Sequence, residues 1–139
     1  MPRKPKAYVL DTWAVIAYLE DEPSAPQIAD LIASAHEEEI PVYMTVVNVG
    51  EVWYTIAREI SEAEADSSVK QLHDLRIQFQ NADWELTQEA ARFKSKQKMS
   101  YADCYAAALA KHQKAELITG DHEFKQVEDQ ISICWVSMN

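Results

Sequence analysis

Short apolar runs alternate along the chain with longer segments in which apolar residues recur every third or fourth position. The short runs are rich in β-branched and aromatic residues and predict buried strands, whereas the longer segments predict helices that bury one face. The predicted strands are Tyr8–Leu10, Ile40–Met44, Ile77–Gln80, Leu117–Thr119 and Ile131–Val136. The alternation predicts an α/β protein, and no Asn-Gly or Asp-Gly dipeptide indicates a hairpin.

Five of the six predicted helices follow a residue suited to cap their first turn. A side-chain oxygen at this position accepts a backbone N–H that the helix leaves unpaired. The candidate caps are Asp11, Thr45, Ser61, Asp83 and Ser100. The remaining helix is expected from about Ala25 to His36. Because helices connect the strands, we predict a central, mainly parallel sheet of about five strands with helices on both faces.

Length and hydrophobic content fit a single domain, residues 1–139. The chain is 47% hydrophobic, and no apolar run approaches the roughly 20 residues that span a bilayer. The basic N-terminus, Met1–Lys6, precedes an apolar run that is too short for a secretory signal. We therefore expect a cytoplasmic protein with no membrane association. Cys104 and Cys134 lack a metal-binding spacing and are expected in the core.

The charge balance is strongly acidic. The chain has 23 acidic and 13 basic residues, a formal net charge of −10. Such a charge repels nucleic acid, so any nucleic-acid function has to depend on a local basic patch or on bound cations. The densest basic run consists of Arg92, Lys94, Lys96 and Lys98. A solvated helix face explains that run at least as well.

Four acidic residues interrupt apolar sequence, whereas most of the others lie in polar runs. Asp11 and Asp121 each follow a predicted strand, Asp103 lies in the first turn of a helix, and Glu51 lies under two turns into the helix after the second strand. The carboxyl ends of parallel strands meet at one edge of a sheet, where α/β proteins form their sites. We therefore expect these four carboxylates to lie together.

Each of the four also has a purely structural explanation. Asp11 can cap the first helix, and Asp103 can complete a capping box with Ser100. Asp121 can be an ordinary turn residue, and Glu51 can point to solvent. Taken singly, these explanations are about as good as a functional one, but together they require four coincidences at one edge of the sheet.

Clustered carboxylates need a compensating proton, cation or metal ion. Two of them about 4 Å apart repel each other by about 4 kcal/mol at an effective dielectric constant of 20. No Lys or Arg is close in sequence to any of the four. An all-oxygen ligand set selects Mg²⁺ or Mn²⁺ over Zn²⁺. A carboxylate-bound Mg²⁺ is suited to phosphoryl chemistry, because it polarises phosphate oxygens and generates hydroxide.

The chain has two glycines, and each directly precedes one of these acids. Gly50 lies inside a predicted helix, where we expect it to permit close packing of the backbone. Gly120 is expected to supply a turn conformation. Thr12 and Thr119 are neighbours of the acids and can orient a carboxylate, although helix-start chemistry and strand propensity explain them equally well.

Four segments in order resemble the PIN domain family, and in particular the VapC-type toxins of toxin–antitoxin pairs. The segments are V-L-D-T, T-V-V-N-V-G-E, S-Y-A-D-C-Y-A-A-A-L-A and L-I-T-G-D-H-E-F. The resemblance covers nearly the whole chain. Cys104 stands where the family often has alanine, and the acidic charge leaves the affinity for RNA unexplained.

The resemblance implies a three-layer α/β/α fold and a metal-dependent endoribonuclease. It carries the acidic quartet of the family to Asp11, Glu51, Asp103 and Asp121, and Thr119 matches the Thr or Ser two residues before the last Asp. Asp11, Glu51 and Asp103 are then expected to hold the principal Mg²⁺, for which Mn²⁺ can substitute, and Asp121 completes the cluster or a second metal position. The implied partners are an RNA substrate (tRNA, rRNA or mRNA), a cognate antitoxin and a second copy in a homodimer.

Two alternatives remain open from the sequence. A non-catalytic PIN-like module that binds RNA or protein can retain the acids without cutting RNA. A phosphatase or phosphoacceptor domain with an aspartate nucleophile is less favoured, because it needs a Lys near the acids.

Overall fold

The computed structural model describes residues 4–137, which contain five strands and six α-helices in alternation. The strands are β1 (Tyr8–Leu10), β2 (Val42–Thr45), β3 (Gln78–Gln80), β4 (Glu116–Thr119) and β5 (Ser132–Trp135). The helices are α1 (Thr12–Leu19), α2 (Ala25–Glu37), α3 (Val46–Glu59), α4 (Glu62–Asp74), α5 (Trp84–Lys96) and α6 (Tyr101–Gln113). A 3-10 helix, His122–Val127, connects β4 to β5. The predicted elements are thus confirmed, with boundaries that shift by one or two residues.

The strands form one sheet in the order β3-β2-β1-β4-β5, and every pairing is parallel. The sequence predicted a mainly parallel sheet, and the described sheet is parallel throughout. Leu10 pairs with Ile118 in the register of β1 and β4. The residues that follow these two strands therefore leave the sheet at the same edge, in its centre.

Helices cover both faces of the sheet and give three layers. Val9 and Leu117 belong to a core with α5, α6 and the 3-10 helix, whereas Leu10 and Ile118 belong to a core with α1 to α4. Successive strand residues point to opposite faces, which explains why neighbouring residues enter different cores. The fold is the three-layer α/β/α arrangement with a central parallel sheet.

All five predicted caps are present. The side chains of the five capping residues accept hydrogen bonds from the backbone N–H groups of Ala14, Asn48, Glu64, Leu86 and Asp103, respectively. Asp11 therefore does cap α1, and Ser100 caps α6. These local interactions set where the helices begin, and hence which residues lie in their first turns at the edge of the sheet.

The roles expected of the two glycines were wrong. Gly50 is exposed, and a Cβ built on it would meet no atom within 4 Å, so it makes no close approach. Gly120 has no positive φ. A Cβ there would instead lie 2.3 Å from Cη2 of Trp13. The close packing that was expected at Gly50 is found at Gly120, because the Trp13 ring lies directly against its backbone.

The remaining expectations concern the cysteines and the membrane. Cys104 is fully buried, and Cys134 is partly buried against the core. Between residues 4 and 137, no helix combines the length and the apolar character that a membrane crossing requires. Met1, Pro2 and Arg3 of the basic N-terminus lie outside the described residues.

Candidate active site

Asp11 and Thr119 are joined at the centre of the sheet edge. Both side chains are fully buried. The Thr119 hydroxyl donates to Asp11 Oδ2 at 2.6 Å, and the Ala14 N–H donates to Asp11 Oδ1 at 2.8 Å. The parallel register places β1 and β4 side by side, so the residues that follow Leu10 and Ile118 become neighbours. Thr119 thus orients Asp11 through its hydroxyl.

Asp121 is held by the same threonine. Its backbone N–H donates to Thr119 Oγ1 at 3.0 Å, and its Oδ1 accepts from the N–H of Glu123 at 2.9 Å. Asp121 therefore caps the 3-10 helix while its side chain remains partly exposed. The one hydroxyl of Thr119 positions both strand-end acids.

Asp103 and Glu51 come from two different helices, Asp103 from the first turn of α6 and Glu51 from the second turn of α3. Asp103 lies in the first turn of α6, where the Ser100 hydroxyl accepts its N–H at 3.1 Å. Glu51 lies on α3, and the Tyr54 hydroxyl donates to its Oε2 at 3.3 Å. Together with Asp121 they line a cleft of about 380 Å³, which we call the acid cleft. Asp11 lies buried and is not among the residues that line it.

Burial and the neighbouring acids raise the pKa values of two of the acids in the site. Burial raises the pKa of Asp11 to about 8, hydrogen bonds from Thr119 and Ala14 oppose the rise, and the charges of Asp103 and Asp121 add to it. Burial raises the pKa of Asp103 to about 6, and the charges of Asp121, Glu51 and Glu123 add to that rise. The four predicted acids are therefore electrostatically coupled at one edge.

Between residues 4 and 137, no Lys, Arg or His forms an ion pair with any of the four acids. The ion pairs found within residues 4–137 involve other acids, namely Glu38, Asp74 and Glu89. In that same part of the chain, no three acidic, histidine or cysteine side chains stand close enough together to form a ready-made metal-binding group. Three of the four carboxylates line one cleft, and Asp11 is buried and outside its lining.

The donor set nevertheless suits a hard divalent cation. The carboxylates offer oxygen only, and burial together with the neighbouring acids raises the pKa values of Asp11 and Asp103. A divalent cation supplies a positive partner and favours oxygen ligands. Glu51, Asp103 and Asp121 line the cleft in which such a cation would be accessible to their oxygens.

Asn48 is a buried residue that the sequence did not identify as part of the site. Its Nδ2 donates to Thr12 Oγ1 at 3.1 Å and to the Ala102 carbonyl at 3.2 Å, while Oδ1 accepts from Thr45. It lies on α3, so it ties that helix to the starts of α1 and α6. The available signal was an amide within the apolar run Val46–Val49, where a polar side chain needs buried partners.

Three further residues at the site were also missed. Glu22 comes from a run that was expected to be solvated; it is exposed and lines the acid cleft. Glu123 adds to the charge around Asp103. Trp13 lines the acid cleft and also an adjoining cleft of about 510 Å³, which we call the indole cleft. No sequence pattern distinguishes Trp13 from an ordinary core residue of α1.

Other candidate features lie outside the site. Within the basic run, Arg92 is 3.6 Å from Glu89, and Lys94 donates to the Met99 carbonyl at 2.7 Å. Both cations are thus partly used within the fold. A cavity of about 570 Å³ between α2 and the end of α4 contains none of the predicted site residues. His122 is exposed, as expected, and stacks on Trp135 with ring centroids 6.3 Å apart.

Comparison with known proteins identifies the family. The profile of the PIN domain matches residues 8–130, nearly the whole chain, and the chain belongs to the PIN domain family. A comparison with curated protein sequences found no match.

Solved structures with the same fold include toxin–antitoxin proteins. VapBC2 from Rickettsia felis, bound to a promoter DNA fragment, is 14% identical with a TM-score of 0.74, covering 94% of this chain and 99% of that chain. VapC20 from Mycobacterium tuberculosis, a Sarcin-Ricin loop cleaving toxin, is 15% identical with a TM-score of 0.69, covering 87% and 95%. VapBC-1 from nontypeable Haemophilus influenzae is 17% identical with a TM-score of 0.70, covering 93% and 97%. The chain therefore has the fold of VapC toxins.

Proposed function

We propose that this protein is a metal-dependent endoribonuclease of one PIN domain and the toxin of a type II toxin–antitoxin system. The observation that carries the proposal is the group of four acids, brought from distant parts of the chain to one sheet edge with no ion pair to any of them among the described residues. Membership of the PIN domain family supports a nuclease. The shared fold with VapC20, which cleaves the Sarcin-Ricin loop, supports RNA as the substrate.

Each acid has a role in this proposal. Asp11, Glu51 and Asp103 hold the principal Mg²⁺ or Mn²⁺, and Asp121 completes the cluster or a second metal position. When bound, such an ion supplies a polarised phosphate oxygen and a water that ionises near neutral pH. Thr119 holds Asp11 and Asp121 in place through its hydroxyl. Burial of Asp11 keeps its carboxylate from being solvated, which strengthens its attraction to a cation.

The proposed partners follow from the structural relatives. VapBC2 and VapBC-1 are toxin–antitoxin complexes, so we expect a cognate antitoxin that covers the acid cleft. We also expect a homodimer, a tRNA, rRNA or mRNA substrate, and action in the cytoplasm, where these RNAs are found.

The decisive experiment is cleavage of labelled RNA by the purified protein in Mg²⁺, in Mn²⁺ and in excess EDTA. We expect cleavage with either metal and none in EDTA. Asp103→Asn should reduce cleavage at least about 100-fold, because it removes a metal ligand. Asp74→Asn is the matched control, since Asp74 is exposed and pairs with Lys70 on α4, away from the acid cleft.

Two results would contradict the proposal. Full activity in EDTA would exclude a metal mechanism. Binding of RNA without any turnover in Mn²⁺ would favour the alternative, a non-catalytic PIN-like module that binds RNA or protein. Sequencing the ends of RNA cleaved in cells, with and without the product of the neighbouring gene, would identify the substrate and the antitoxin.

A further inference from the structure

The Trp13 indole separates two clefts that share an acid. Trp13 and Asp121 line both the acid cleft and the indole cleft. The six-membered ring of Trp13 lies against the backbone of Gly120, where even a Cβ would approach Cη2 to 2.3 Å. This contact holds the indole in one position, directly beside one of the proposed metal ligands.

A second aromatic ring faces the indole cleft. His122 lines it, and its ring stacks on Trp135, which is 36% exposed. His122 is exposed, and Trp13, although it packs against the hydrophobic core, is only partly buried. The indole cleft thus has aromatic walls that remain accessible.

The charges around both clefts rule out one common way of holding RNA. Among the described residues that line them there is no Lys or Arg, and five are acidic: Glu22, Glu51, Asp103, Asp121 and Glu123. Phosphate groups are therefore repelled here except where a metal ion binds them. A nucleobase is neutral and has a π-face, so it can bind by stacking in an acidic setting.

We infer that the Trp13 indole and the indole cleft form a nucleobase-binding subsite, which takes an unpaired base of the nucleotide that flanks the scissile phosphate. This inference rests on the proposed nuclease function. It assigns Trp13 a role in substrate binding and specificity. It also supplies a source of affinity for RNA that does not depend on basic residues. Because a purine offers a larger stacking surface, the subsite prefers a purine over a pyrimidine.

The test combines a protein variant with an altered substrate. Cleavage kinetics are measured on a single-stranded RNA that contains one cleavage site, and on copies with an abasic residue at each position near that site. Replacing Trp13 by Leu should raise KM roughly ten-fold with little change in kcat, because stacking of one base is lost. Trp13→Phe should retain part of the affinity.

The abasic substrates distinguish stacking from a structural role. At one position, the abasic residue should raise the KM of the wild type roughly ten-fold. It should leave the KM of Trp13→Leu unchanged, because that variant already lacks the ring on which the base would stack. Structural damage in Trp13→Leu would instead raise the KM for every RNA by the same factor. Trp84→Leu is the matched control. Trp84 is 70% exposed, is the first residue of α5, and lines neither the acid cleft nor the indole cleft.

Several outcomes would overturn the inference. It fails if no abasic position raises the KM of the wild type. It also fails if the abasic residue raises the KM of Trp13→Leu by the same factor as that of the wild type. If Trp13→Leu does not fold, as judged by circular dichroism, the same comparison is made between the wild type and Trp13→Phe.

Equilibrium binding of the same RNAs in Ca²⁺, measured by fluorescence anisotropy, separates this inference from the proposed function. If the abasic residue weakens binding by the wild type but not by Trp13→Leu, and no RNA is cleaved, the subsite is supported and the nuclease is contradicted. If RNA is cleaved but the abasic residue weakens binding by both proteins equally, the subsite alone is contradicted. If RNA is neither bound nor cleaved, both are overturned.

Discussion

The hydroxyl of Thr119 donates a 2.6 Å hydrogen bond to Asp11 Oδ2, across 108 residues of sequence. The same oxygen accepts the N–H of Asp121 at 3.0 Å. One side chain on β4 therefore fixes the acid that follows β1 and the acid that follows β4 itself. Because both Asp11 and Thr119 are fully buried, water cannot replace the bond between them when one partner is removed.

Replacing Thr119 by Val should destabilise the protein and reduce activity. The change keeps the shape but leaves the buried Asp11 Oδ2 without a donor, which costs about 1–3 kcal/mol, and removes the acceptor of the part-buried Asp121 N–H. Urea unfolding should show this loss, with Thr119→Ser as the control that retains the hydroxyl. Equal stability of Thr119→Val and the wild type would mean that the hydrogen bond makes no net contribution.

The metal-free protein should lose stability as the pH rises from about 5 to 8. Burial raises the pKa of Asp11 to about 8, above its usual value of 3.8, so the folded state binds the proton more tightly than the unfolded state does. The stabilising contribution is complete below the unfolded pKa and is lost as the pH rises through the folded one. The pKa of Asp103, raised to about 6, acts in the same direction.

Asp11→Asn isolates this effect, because asparagine stays neutral. In EDTA at pH 8 the variant should unfold at least about 3 °C above the wild type, which corresponds to about 1 kcal/mol for a domain of this size. Millimolar Mn²⁺ should raise the melting temperature of the wild type and not that of the variant. If the melting temperatures of the two proteins in EDTA change with pH in parallel, Asp11 is ionised in the folded wild type across the tested pH range.

Asn48 should be essential for bringing three helices together. Asn48→Ala removes its contacts with Thr12, Ala102 and Thr45, and should cost about 2–4 kcal/mol, because buried polar groups lose their partners. Asn81→Ala is the control at an exposed asparagine. If Asn48→Ala retains wild-type stability, the three helix starts are held by apolar packing alone.

The two glycines should respond to alanine in opposite directions. Gly50→Ala should stabilise the protein by up to about 1 kcal/mol, because the position is helical and a Cβ meets no atom within 4 Å. Gly120→Ala should destabilise it by about 1–3 kcal/mol, because the new methyl group displaces the Trp13 ring. Paired thermal unfolding curves test both changes, and a loss of stability in Gly50→Ala would show an unrecognised contact.

Much of the fold was predictable because it follows from local physics. The caps of Asp11, Thr45 and Ser100 depend on bonds within three residues, and strands are indicated by short apolar runs. The alternation of strands and helices implied a parallel sheet, and the described sheet confirms it. The four acids could be selected because a carboxylate within an apolar run is unusual, although their function as metal ligands stays a prediction.

The sequence by itself thus determined the elements, their order and the acids at their ends, because periodicity and capping act over a few residues. Only the tertiary structure decided that Thr119 orients Asp11, that Asn48 links α1, α3 and α6, and that Gly120 makes room for Trp13. Each of these contacts joins residues that are far apart in the chain. The register of the sheet and the packing of the helices set which of them meet, and no local pattern encodes that choice.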